Sequence, residues 1–211
     1  MPEPTTLAVF SLAALALIVV PGPAVIYVVT RGIDQGRRAG LVSALGIEAG
    51  GLVHVAAAAL GLSALIVSSA TAFTVLKYAG AAYLIMLGLR ELRGRAARVA
   101  PEKPEPAPLR RVFWQGVLVN ALNPKTALFF LAFLPQFVDP AAGPVHAQIL
   151  VLGAVFVAIG FVSDSAWGLA AGTLGPRLRD GVRRRVQRWG SGSVFVALGV
   201  GTALSTTRRA V

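Results

Sequence analysis

A chain of 211 residues that is 55% hydrophobic and 14% charged, with a mean hydropathy of +0.71, is too apolar for a water-soluble domain and is suited to a bilayer. It has no cysteine, which excludes disulfides, thiolate metal sites and dithiol redox chemistry. Its net charge of +11 is explained by basic loops between membrane spans rather than by nucleic-acid binding.

Six spans are predicted, over residues 7–29, 40–67, 72–89, 113–137, 149–174 and 190–205, the last short and glycine-rich. The first follows Glu3 rather than a basic residue and precedes no small-x-small cleavage site, so it is expected to stay in the mature protein. The first loop carries Arg31, Arg37 and Arg38; the third Arg90, Arg93, Arg95, Arg98, Lys103, Arg110 and Arg111; the fifth Arg177, Arg179, Arg183, Arg184, Arg185 and Arg188. These sixteen face only Lys77, Arg208 and Arg209 on the other side, and residues 138–148 have no Lys or Arg. The alternation predicts odd-numbered loops in the cytoplasm and both termini outside.

Pro101, Pro104, Pro106 and Pro108 among mixed charges mark residues 93–111 as a solvated linker. One membrane domain then divides into halves 1–92 and 112–211 of three spans each. Two halves with an odd number of spans must be oppositely oriented, as in an inverted repeat.

The halves share an interruption in their first span: Pro21-Gly22-Pro23 in one, Asn123-Pro124-Lys125 in the other. Proline removes a backbone donor and clashes with the preceding turn, so each site is expected to end one half-helix and begin another. Asn123 suits an N-cap, and Pro124 and Pro23 the first helical position. Each new N-terminus would direct amide donors and about half a positive charge inward, a pairing that attracts an anion. At about 1.5 Å per residue Pro124 lies about 15–18 Å into its span, near the middle of a core about 30 Å thick. The alternative for either motif is a simple kink in a packed helix.

A lysine at that depth costs at least about 2.5–3.5 kcal/mol and needs a partner or a wet cavity. Lys125 is read as binding a substrate carboxylate, the alternative being a structural ion pair with Asp164. In the fifth span Gly160, Asp164, Gly168 and Gly172 recur every fourth residue, a ridge that admits a close neighbour and keeps the acid off lipid. Asp164 would carry a proton or pair with a substrate ammonium. In the second span Gly46, Gly50 and His54 form a similar ridge, with His54 either a hydrogen-bonded structural residue or a proton relay. Glu48, about 200° around from that ridge, is a further proton-coupling candidate or simply reaches the interface. Trp114, Trp189, Tyr78 and Phe113 are expected as interfacial anchors; Trp167, one turn beyond Asp164, walls a cavity or packs. The glycine ridges permit pairing within a chain or in a homodimer.

Pro21-Gly22-Pro23, GRRAGLVSALGIEAGGLVH from Gly36, LKYAGAAYLIMLGLREL from Leu76 and FWQGVLVNALNPKTALFFLAFLPQFVDP from Phe113 resemble the lysine exporter and homoserine/threonine resistance (LysE/RhtB-type) family, over nearly the whole chain. The resemblance implies a bacterial inner-membrane exporter of amino acids or related metabolites, driven by proton motive force. Its motif falls on Pro21, Gly22, Pro23, Gly46, Gly50, Asn123, Pro124, Lys125 and Asp164, whereas Glu48 is less typical of it. The expectation is an all-α membrane protein of six helices in a 3+3 inverted repeat, exporting an amino acid by alternating access in exchange for a proton, without cofactor or metal. The rivals are an exporter of another solute or ion, for which two histidines and two methionines are few soft ligands; a non-transporting scaffold; and a membrane enzyme, for which no nucleophile and base motif appears.

Overall fold

The computed structural model describes residues 2–62 and 107–174, together with a few helical positions between 74 and 89. The third and sixth predicted spans, most of the linker, Lys77 and Trp189 lie largely or wholly outside the described residues. All regular structure among the described residues is helical.

Helix α1, Pro4–Val19, starts with proline at its first position, where no amide bond is lost. It stops because Val20 is held extended before Pro21. Its inward stripe is Phe10, Ala14, Leu17 and Ile18, spaced at the helical period. Gly22 caps α2, Pro23–Ala57, again with proline in the first turn. A π-helical turn, Ala58–Leu62, follows.

Helix α2 is not one straight rod. Gly36 sits at φ +81° and ψ −177°, a backbone state open in practice only to glycine. A methyl group on Gly32 would meet the Gly168 carbonyl oxygen at 2.8 Å, and one on Gly40 would meet the same atom at 2.7 Å. Eight residues of straight helix would set these positions about 12 Å apart, so the chain must fold back at Gly36 into two limbs, 23–35 and 37–57. The predicted first loop, residues 30–39, does turn the chain, but its loop character is corrected: it is helical except for Gly36, and its Arg31 is buried at 6% exposure. Local composition marks a charged turn; it does not show that the helix runs on until a single glycine reverses it.

Helix α3, Leu109–Ala121, and α4, Pro124–Leu128, meet at a break bent by 42°. A π-helical turn, Phe129–Phe133, and a 3-10 turn, Leu134–Phe137, continue α4. After a short turn at Pro140–Ala142, α5 runs from Val145–Leu174. The second limb of α2 lies antiparallel to α5, with Gly40 on Gly168, Glu48 on Gly160 and Val55 on Gly153. It lies parallel to α3, with Gly46 on Phe113 and Gly50 on Val117. Glycine stands at each crossing because only a bare backbone permits such approach. The predicted ridges are thus used within the chain. Away from the crossings, Phe10, Phe129, Phe130 and Phe156 join α1, the segment after α4, and α5, with ring centroids 5.0 Å apart for Phe129 and Phe156.

By length and composition, Pro23–Gly61, although it reverses at Gly36, and Val145–Leu174 hold enough apolar helix to cross a membrane, and Leu109–Ala121 with Pro124–Phe137 makes a third candidate as one bent span.

Candidate functional site

The two chain breaks meet. Because α1 ends before Pro21, its last carbonyls have no partner in the helix. The Lys125 ammonium, from the first turn of α4, donates to the Val20 carbonyl at 2.7 Å. Gly22 lets the lysine stem pass: a methyl there would meet Cδ at 3.1 Å and Nζ at 3.4 Å. Lys125 is 6% exposed. Asn123 is the N-cap of α4, its Oδ1 accepting the Lys125 amide at 3.1 Å, and Pro124 fills the first helical position.

Beside this junction is a small cavity of about 30 Å³. Its polar lining comes from Glu48 on α2, Asn120 on α3, Asn123, Lys125 and Thr126 at the second break, and Asp164 on α5. Gly22 and the apolar residues Leu17, Ile18 and Phe156 are among those that complete it. The fold therefore gathers both proline motifs, Lys125 and Asp164 in one place. Asp164 Oδ1 and Glu48 Oε2 are buried and make no hydrogen bond among the described residues.

Glu48 does not reach an interface. It is 7% exposed, and its carboxyl lies on Gly160, where a methyl would meet Oε1 at 2.5 Å. Its angular offset from the Gly46, Gly50, His54 ridge explains this: the ridge faces α3, and the opposite side of the limb faces α5. His54 is held by the Asn120 carbonyl, 2.8 Å from Nε2, and its ring stacks on Phe130 at 6.1 Å. A carbonyl only accepts, so Nε2 carries the hydrogen. His54 is absent from the cavity lining and is held between the Asn120 carbonyl and the Phe130 ring. Trp167 lines a separate apolar groove of about 790 Å³ between α1 and α5 rather than the wall beside Asp164. Trp114 is exposed.

Two polar groupings escape sequence reasoning. Asn120 is a hub: Nδ2 donates to the Ile47 carbonyl at 2.7 Å, and Oδ1 accepts from Thr126 at 2.9 Å and from Asn123 at 3.3 Å. It ties α2 to both sides of the second break. Its signal was present in the spacing of Asn120, Asn123 and Thr126, three polar residues at intervals of three. The second grouping centres on Arg31, which donates to Gln35 and Gln115, each at 2.8 Å, while Tyr27 donates to the Val112 carbonyl at 2.7 Å. The bonds to Gln115 and Val112 join the first limb of α2 to α3, and sequence separation hides them. Among the described residues no three His, Cys, Asp or Glu side chains gather as metal ligands.

Comparison with known proteins decides the family. The family model for LysE type translocator matches residues 15–206. The chain belongs to the LysE type translocator family. A homoserine/homoserine lactone efflux protein of Salmonella typhimurium is 30% identical over 201 residues, covering 95% of this chain and 96% of its own. A leucine efflux protein of Enterobacter sp. is 30% identical over 158 residues, 72% of this chain and 73% of its own. An uncharacterised membrane protein of Vibrio cholerae is 32% identical over 200 residues, 94% and 96% of the two chains. No solved structure matches significantly. Membership makes this LysE translocator a membrane protein and a transporter rather than an enzyme.

Proposed function

We propose that this LysE translocator exports amino acids across the bacterial inner membrane by proton antiport, with six spans in a 3+3 inverted repeat and both termini outside. The observation that carries the reading is the convergence of Lys125 on the first chain break, beside Asp164, in a cavity between helices. The substrate carboxylate is bound by Lys125 and the helix starts at Gly22-Pro23 and Asn123-Pro124; the ammonium is bound by Asp164. The unpartnered Asp164 oxygen supports the second assignment. The second limb of α2 runs parallel to α3 and antiparallel to α5, the directions that spans two, four and five of six would take, and this supports the reading. A cavity of about 30 Å³ has room for about one water, so this is a closed arrangement and the helices must part to admit substrate. Efflux of homoserine and leucine is what the relatives' names describe, and it sets the first compounds to try.

Purified protein in liposomes provides the test. A pH gradient is expected to drive labelled amino acid toward the acid side, and an ionophore that collapses the gradient is expected to stop it. No movement of any amino acid in a broad panel would refute the reading.

A further inference from the structure

The exporter reading leaves one buried acid without a task. Glu48 lies on the α2 limb facing α5 and lines the cavity with Asp164 and Lys125. Its Oε2 has no hydrogen-bond partner among the described residues, although the side chain is 93% buried, at 7% exposure. A purely structural acid at such depth would be expected to have both oxygens satisfied. Gly160 is the floor that admits it, since a methyl there would meet Oε1 at 2.5 Å and Oε2 at 2.7 Å.

Among the described residues the charged groups facing Glu48 are few. From α5 comes Asp164, which acts on it electrostatically, and Lys125 of α4 acts in turn on Asp164. From α3 comes the neutral amide of Asn120; from α1, only Leu17 and Ile18. His54, on the same limb, points to α3 and is bonded there. Lys125 thus compensates Asp164, and among the described residues Glu48 has no cation acting on it. Among the described residues two acids then stand against one lysine, which leaves Glu48 as the negative charge that needs a cation, and uncompensated burial of a charge is costly.

We propose that Glu48 is the proton carrier of the exporter, loaded when the substrate's ammonium leaves Asp164 and unloaded when the next ammonium arrives. This rests on the antiport reading above. On the outer side a proton bonds to a Glu48 carboxylate oxygen as the ammonium departs. On the cytoplasmic side the arriving ammonium supplies the positive charge beside the two acids, and the proton leaves Glu48 to the cytoplasm. The carboxyl pair thus never closes into the membrane with both charges bare.

Two fluxes in proteoliposomes separate this role from a structural one: accumulation driven by a pH gradient, and exchange of labelled for unlabelled amino acid at equal pH. In Glu48→Gln the ratio of driven to exchange flux is expected to fall about ten-fold or more, the scale of losing one charged partner. Gly160→Ala keeps the acid and displaces its carboxyl, a flexible side-chain end, and is expected to lower the same ratio. It also decides the matter should Glu48→Gln fail to fold. An unchanged ratio in the folded variants overturns the proposal while leaving the exporter intact, and so does a parallel loss of both fluxes. Wild-type protein whose transport ignores the pH gradient, or follows sodium instead, overturns the antiport reading and the proposal with it.

Discussion

Lys125→Ala is expected to lower amino-acid export at least 30-fold in proteoliposomes while leaving a folded protein. Truncating one partner of a buried charged contact costs about 2–5 kcal/mol, or about 30- to several-thousand-fold in affinity. A retained fold is the condition of the test, read as a monodisperse species in detergent, because the lysine is costly to bury but also donates to the Val20 carbonyl and compensates Asp164. Lys125→Arg is no safe replacement, because the stem passes so close to Gly22 that a methyl added there would meet Cδ at 3.1 Å. Measured as initial rates against substrate concentration, the defect should appear as weakened binding. Near-normal rates in Lys125→Ala would remove the substrate carboxylate from this end of the cavity.

The second large effect concerns folding. Gly168→Val is expected to destabilise the protein by about 3 kcal/mol or more, lowering its melting temperature in detergent by about 10 °C or preventing its recovery as a monodisperse species. Gly168 is where both limbs of α2 cross α5: a methyl on it would meet the Gly40 carbonyl carbon at 2.9 Å and oxygen at 3.0 Å. Those atoms are backbone and cannot rotate away. Displacing them also separates Glu48 from Gly160, two turns along the same crossing, so transport should fail even in any fraction that folds. Gly61→Ala is the control, because among the described residues a methyl there meets nothing within 4 Å. Equal melting of Gly168→Val and wild type would mean that the crossing is looser than its geometry.

The two chain breaks are legible from sequence because their chemistry is local. Pro21 and Pro124 forbid a continuous hydrogen-bond ladder whatever surrounds them, and Asn123 can cap only the turn that follows it. The glycine ridges are legible as well, since a four-residue period fixes a shared face before the neighbour is known. What the period leaves open is the identity of that neighbour. Glu48 illustrates the limit: its angle from His54 follows from the sequence, but whether that side meets lipid, water or Gly160 depends on α5, more than a hundred residues away. Arg31 is a similar case. Counted as a loop charge, it belongs instead to a buried cluster with Gln35 and Gln115, the latter brought up by α3. The reversal between residues 29 and 40 was legible as a charged connection, but that it is made at Gly36 alone, between helical flanks, was not.

The absence of cysteine makes the central claim open to direct measurement, that the cavity beside Lys125 takes substrate from one side of the membrane and delivers it to the other. Ala24 lines that cavity, so Ala24→Cys places the chain's single thiol there with little change in volume. In oriented vesicles, membrane-impermeant thiol reagents are expected to modify it from either face in turn, and the transported amino acid is expected to slow the reaction. Modification from one face only, with a rate indifferent to every amino acid tried, would contradict the account.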